Sequence, residues 1–175
     1  MKEYEFTLKF SLGDKATDPE SYSERLAEAG CDDALIGIGQ QGRIAFNFNR
    51  EADSALSAVC SAIQNIKSVI PDAILIEATP DFVGISDIAD ILGYSRQNIR
   101  KLMLNHRGSF PAPIHEGKSA IWHLSSVLTW FKDRKDYPVD ELLFDVTQAN
   151  MQLNIAKENF FLDPVVNTRI HAMLS

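Results

Sequence analysis

The sequence predicts an α+β fold in which a strand-rich N-terminal unit precedes two helical segments of different character, and three observations carry this. Apolar residues alternate singly with polar ones near the start and again at 43–48, the period of a half-buried strand. They recur every three or four residues at 55–66 and at 85–103, the period of a helix with one buried face. Charge also reverses along the chain: residues 1–81 hold 7 Lys/Arg against 14 Asp/Glu, residues 82–135 hold 8 against 4, and residues 136–175 hold 2 against 6. The middle third is a basic island in a chain of net charge −7.

The N-terminal elements follow in order. Tyr4, Phe6, Leu8 and Phe10 are the inward side of a first strand. Asp18 is placed as an N-cap and Pro19 as the first residue of a helix that runs to about Ala29 and ends at Gly30. Residues 34–38 and 43–48 are two strands, and Gly39-Gln-Gln-Gly42 is the hairpin turn between them. The phrase GIGQQG has a superficial likeness to a nucleotide-binding loop, but it joins two strands, whereas a dinucleotide fingerprint leads from a strand into a helix. A helix is expected over about 51–68, with Ala55, Val59, Ala62, Ile63 and Ile66 on one stripe, and after Pro71-Asp72 a fourth strand occupies 73–78. The order βαββαβ over residues 1–80 is the ferredoxin-like split βαβ plan. Thr79-Pro-Asp-Phe82, where proline coincides with the charge reversal, is read as a linker.

In the basic island, Ile85, Ile88, Ala89 and Leu92 give a short helix one apolar face, and Gly93 supplies the left-handed residue that ends it. Ser95 caps a second helix whose buried stripe is Ile99, Leu102 and Met103. On a wheel of 100° per residue, Gln97 and Lys101 lie opposite that stripe, with Arg96 and Arg100 on one shoulder and Asn98 and Asn105 on the other. Residues 110–123 read as two short strands around a Glu116-Gly-Lys118 turn, and His123-Leu-Ser-Ser126 opens a helix with Val127, Trp130 and Phe131 on one face. Trp122 and Trp130, both in apolar company, are expected to be core anchors.

Hydrophobic Ile88, small Ala89, Leu92, Gly93 at the turn, then Ile99 and Leu102, followed by F-P-x-P, a wing and two tryptophans, resemble the winged helix-turn-helix of MerR-type regulators and AlpA-like excisionases over residues 83–135. Tyr94 stands where that family usually has an aliphatic residue. The resemblance implies a bacterial, sequence-specific DNA-binding protein that regulates transcription. It places Ser95, Arg96, Gln97, Arg100 and Lys101 towards the major groove with Asn98 beside them, while Lys118 at the wing tip suits a sugar-phosphate backbone.

Val139, Leu142, Val146, Ala149, Leu153, Ala156 and Phe160 are spaced 3, 4, 3, 4, 3, 4, a heptad seam within residues 138–175. Such a helix either coils with a second copy in a homodimer or folds back on its own chain; Pro164 then starts a last short helix.

Composition bounds the remaining classes. A hydrophobic content of 45% is ample for a core, and no apolar run approaches the roughly 20 residues of a membrane span. The start MKEYEF has no signal-peptide shape, so a cytoplasmic protein is expected. Cys31 and Cys60 read as buried or half-buried thiols without a disulfide, and His106, His115 and His123 are too dispersed for zinc. No acid, base and nucleophile assemble into a catalytic constellation, so neither enzyme nor cofactor is expected. The expected partners are double-stranded DNA, a second copy of the chain, and a protein contacting the acidic N- or C-terminal segments. The alternative is an antitoxin-like or phage-related interaction module that neutralises a partner and autoregulates through the helix-turn-helix.

Overall fold

The computed structural model of the chain describes residues 1–13, 19–40, 42–134 and 137–175. It is a mixed α+β structure whose largest element is a four-stranded antiparallel sheet of order β2-β3-β1-β4. The strands are β1 (Lys2–Ser11), β2 (Ala34–Ile38), β3 (Arg43–Ala52) and β4 (Ile74–Thr79). In β1 the alternation is literal: Tyr4, Phe6, Leu8 and Phe10 are buried, and Glu3, Glu5 and Lys9 face solvent. β3 answers it in register, Phe6 opposite Phe48, Leu8 opposite Phe46 and Phe10 opposite Ile44. The Phe6 and Phe48 rings stack at 5.2 Å. The β2–β3 hairpin turns through Gly42, whose φ of 75° is the left-handed conformation that favours glycine.

β3 is longer than its apolar alternation suggests. It runs to Ala52 because β1 supplies partners as far as Lys2, so residues 49–52 join the ladder instead of opening a helix at Glu51. α2 (Ala55–Val69) starts later, behind Ser54, whose Oγ accepts the Ser57 N–H at 3.1 Å. Its buried stripe, Ala55, Ala58, Val59, Ala62, Ile66 and Val69, covers the sheet.

The segment between β1 and β2 is not the single helix expected. A 3₁₀ turn (Pro19–Tyr22), α1 (Ser23–Leu26) and a wide π turn (Ala27–Cys31) follow one another, and Gly30 sits at φ 91°. Only Leu26 and Cys31 are buried here, too few for a continuous helical stripe. The proposed cap Asp18 lies outside the described residues. Arg50, at a core-facing position opposite Tyr4, holds this turn: its guanidinium donates to both carboxylate oxygens of Asp33 at 2.7 and 2.8 Å and to the Gly30 carbonyl at 2.5 Å. Burial lowers the Arg50 pKa, but the Asp33 hydrogen bonds and charge outweigh it, so the group lies above its ordinary value and stays charged. Burial also pushes the adjacent Cys31 thiol up, which marks it as a core side chain. Cys60, expected to be at least half-buried, is exposed on the outer side of α2, and both cysteines are free thiols.

A second core gathers Val83, Ile88, Ala89, Ile99, Trp122, Leu124, Val127, Leu128, Trp130 and Phe131. It is built by β5 (Phe82–Val83), α3 (Ile85–Leu92), α4 (Arg96–Asn105), β6 (Trp122–His123) and α5 (Leu124–Lys132). α6 (Glu141–Glu158) lies across both cores: Val146 and Ala149 are buried in the first, with Leu142 and Leu153 partly buried against it, while Leu143 and Phe144 pack on the second. The heptad seam is therefore folded back on its own chain from Leu142 to Leu153, and its last residues, Ala156 and Phe160, are exposed. Beyond it, α7 (Pro164–Leu174) buries nothing.

Thr79–Phe82 is no loose linker. Asp81 is 1% exposed, and its carboxylate meets His123 Nδ1 at 2.7 Å and accepts from Asn154 Nδ2 at 2.8 Å, while its carbonyl takes the Leu124 N–H at 2.7 Å. Asn154 also exchanges a pair of hydrogen bonds with the Ala78 backbone, accepting at 2.9 Å and donating at 2.8 Å, as a neighbouring strand would. Asn154→Ala should strand the Ala78 amide and carbonyl and one Asp81 oxygen in a buried site. At about 1–3 kcal/mol for each orphaned group, partly relieved by relaxation, the expected loss is about 3 kcal/mol. Urea denaturation checks it: a loss below about 0.5 kcal/mol, the range of an ordinary surface substitution, would mean that the junction is not load-sharing.

Candidate nucleic-acid interface

The two short helices owe their angle to their joint. α3 begins at Gly84, whose N–H is accepted by the Asp87 carboxylate at 2.7 Å, and it ends in Gly93 at φ 70°, ψ 28°. The Tyr94 N–H returns to the Ala89 carbonyl at 2.8 Å, which satisfies a carbonyl that the helix end leaves open. Ser95 then starts α4 by accepting the Asn98 N–H at 3.1 Å. Ile88 and Ala89 from α3 close on Ile99 from α4, all three buried. Tyr94, the departure from the aliphatic residue usual in the resembling family, is half-buried at the edge of this core with its ring 6.1 Å from that of Tyr137.

With Ile99 fixed inward, the candidate residues Ser95, Arg96, Gln97, Asn98, Arg100 and Lys101 are all exposed. They do not all face the same space. Arg96 and Arg100, one turn apart, line an open cleft of about 670 Å³ with Lys118, and Ser86, Asp87, Met103, Ser119 and Trp122 complete much of its wall. Three cations thus face the cleft against one carboxylate, Asp87, one of whose oxygens holds the Gly84 N–H. Gln97 and Lys101 point along the outer crest of α4, Asn98 lies on the far shoulder, and the Ser95 hydroxyl oxygen is committed to the helix cap.

Electrostatically the cations are free. Arg96, Arg100, Lys101 and Lys118 form no ion pair or side-chain hydrogen bond with another described residue. Elsewhere Lys9 pairs with Glu77, Arg50 with Asp33 and Lys132 with Glu141, and Arg134 lies 3.6 Å over the Trp130 ring. No described residue of the acidic segments 1–81 or 136–175 lines the cleft.

The turn expected to be a wing is smaller than the two strands predicted for it. A single bridge joins His115 to Ile121, and the next residues, Trp122 and His123, pair instead with Val83 and Phe82. Pro111 and Pro113 explain the difference, since neither has an N–H to give to a ladder. Pro111 contributes its carbonyl, which accepts from Trp122 Nε1 at 3.0 Å. Both tryptophans are buried. The three histidines of the segment go separate ways: His123 to Asp81, His106 against the Trp130 ring, and His115 to the wing bridge.

Ser86 and Ser119 escaped the sequence reading. They place exposed hydroxyls on the wall of the same cleft, and only the position of Ser119 next to Lys118 offered a hint. No protein-family model matches the chain, and neither the curated proteins nor the solved structures contain a match.

The joint yields a stability prediction. A Cβ at Gly93 would meet no atom within 4 Å, so Gly93→Ala tests backbone conformation alone. The left-handed geometry should cost about 1–2 kcal/mol. Gly108→Ala, also in open space but without a positive φ, should stay within about 0.5 kcal/mol. Equal effects in thermal denaturation would remove the special role of the Gly93 turn.

Proposed function

We propose that the protein is a sequence-specific, double-stranded-DNA-binding transcriptional regulator of the bacterial cytoplasm, with a ferredoxin-like N-terminal unit and a central winged helix-turn-helix. The sheet order and the βαββαβ succession support the first assignment. The second rests on the α3–Gly93–α4 joint and the bridged turn that carries Lys118. One observation carries the function: Arg96, Arg100 and Lys118, from a helix and a distant turn, converge unpaired on one open cleft in a chain whose net charge is −7. Such a concentration of uncompensated cations matches a polyanion, and the exposed amide of Gln97 beside it suits a base edge. The acidic N-terminal unit is repelled by phosphate and is assigned to contact with protein. No catalytic step belongs to this reading, and none of the helices is long and apolar enough to cross a membrane among the described residues.

In mechanism, α4 enters the major groove with Arg96 and Arg100 on the side that faces the wing, Gln97 and Lys101 at its crest, and Lys118 against the adjoining backbone. Ser86 and Ser119 add hydroxyl donors to phosphate. Two kinds of loss should separate these roles. Arg96→Ala or Arg100→Ala should cost about 1–3 kcal/mol on the recognised site and relax discrimination at one base pair. Lys118→Ala should weaken all duplexes about equally and reduce the slope of log K against log salt by roughly one unit. Footprinting on DNA upstream of the protein's own gene supplies the site, and titration of specific and scrambled duplexes at several salt concentrations supplies the slopes. Wild-type binding by all three folded variants would sink the proposal.

A further inference from the structure

The end of the bridging helix and the tail that follows it form the most exposed apolar stretch among the described residues. Phe160 is 90% exposed, Phe161 81%, Val165 79%, Met173 70% and Leu174 81%, with Ile155, Leu162, Val166 and Ile170 each over a third exposed. On α7, Val166, Ile170, Met173 and Leu174 fall at i, i+4, i+7 and i+8, one stripe of the helix. The helix is well started, since Asp163 Oδ1 accepts the N–H groups of Val165 and Val166 at 2.8 and 3.1 Å and Pro164 takes the first position. Yet it has 11 residues and buries none, and a helix below about 12–15 residues is marginal in water unless a face of it is packed.

We propose that residues 155–174 are the self-association surface of the protein and that their occupant is the same segment of a second copy. Area is in keeping with this: these apolar residues together expose on the order of 1,000 Å² per protomer, the scale of the roughly 800 Å² that each partner buries in a standard interface. Charge selects the occupant. Lys157 and Arg169 balance Glu158 and Asp163, so two copies meet here without net repulsion, whereas residues 1–81 at net −7 repel their like. A membrane surface would call for a basic face beside the apolar one, and two cations among two anions do not provide it. An apolar patch of near-zero charge can meet its own copy across a two-fold axis without burying like charges against each other. The interface is thus not the heptad seam, whose Val146 and Ala149 are buried in the chain's own core. The inference goes beyond the DNA-binding reading and does not rest on it.

Sedimentation of the full chain, without DNA, tests it. Wild type should sediment at twice 19.5 kDa and Phe161→Asp and Ile170→Asp at 19.5 kDa, with unchanged near-ultraviolet signals from Trp122 and Trp130. Each substitution should raise the dimer Kd at least about 100-fold, because a two-fold interface contains every changed residue twice. Leu35→Asp, at an exposed leucine on β2, should leave the dimer intact. If an aspartate variant does not fold, Val165→Ser with Met173→Ser, both at exposed positions, carries the same test. A wild-type monomer across the accessible concentrations overturns the proposal, including one that floats with phosphatidylglycerol vesicles. So does a dimer that survives in the folded tail variants. Loss of the dimer with DNA binding retained, or the reverse, separates this proposal from the DNA-binding reading.

Discussion

The buried carboxylate of Asp81 sets the terms for the rest of the structure. An ionisable oxygen pair taken out of water must be met by donors, and here His123 from the end of β6 and Asn154 from α6 meet it. Asn154 reaches it from α6 only because the same amide is docked on the Ala78 backbone. One cluster therefore ties the end of β4, the start of α5 and the middle of α6, and it does so at the one place where the chain passes from an acidic to a basic segment. Asn150 adds a bond to the Pro80 carbonyl at 3.2 Å, so the whole turn is gripped from one side by α6.

That grip explains how a net-negative chain can present a cationic site. α6 buries Val146 and Ala149 in the first core and packs Leu143 and Phe144 on the second, so the core of α3, α4 and α5 is tied to the remainder of the chain through more than the turn at Pro80. The cleft between α4 and the turn that carries Lys118 opens on a part of the surface that no described residue of the acidic segments lines. The unpaired state of Arg96, Arg100 and Lys118 is then a consequence of placement. Among the described residues Asp87 is the one carboxylate lining the cleft, and one of its oxygens holds the Gly84 N–H, so these side chains keep their charge available for a ligand.

Much of this was legible in the sequence, for reasons that are physical and local. Period-two alternation announced β1 and β3 because one sheet face is covered and the other wet, and Gly93 with Ser95 announced the helix joint because a left-handed residue and a hydroxyl cap leave fixed signatures. What was missed depends on partners far away in sequence. Arg50 lies beyond the strand that the alternation marks at 43–48, and only the reach of β1 to Lys2 draws it into the ladder and onto Asp33. The broken segment before β2 has too few buried anchors to be periodic, so no pattern marks it. Of the site, the exposed face of α4 followed from the wheel, but which of its residues share a cleft with Lys118 depends on how two prolines shape the wing.

The heptad of α6 shows how a correct period can leave the partner open. Leu142, Val146, Ala149 and Leu153 do form a stripe, yet Thr147, Asn150 and Asn154 form a second one beside it, also at spacings of 3 and 4, and all three are buried. Polar residues sustained along a seam flank would weaken an interchain coil, because each would need a buried partner repeated in the other chain. Thr147 is met by the Phe144 carbonyl of its own helix, so Asn150 and Asn154 set this demand. Within one chain the Asn150 amide nitrogen finds Pro80 and Asn154 finds Ala78 and Asp81, while the Asn150 side-chain oxygen stays without a partner among the described residues. The polar stripe is what selects folding back over coiling. It also shifts the burden of any self-association to the residues after Glu158, where the buried polar stripe has ended and the exposed side chains are chiefly phenylalanine, valine, isoleucine, methionine and leucine.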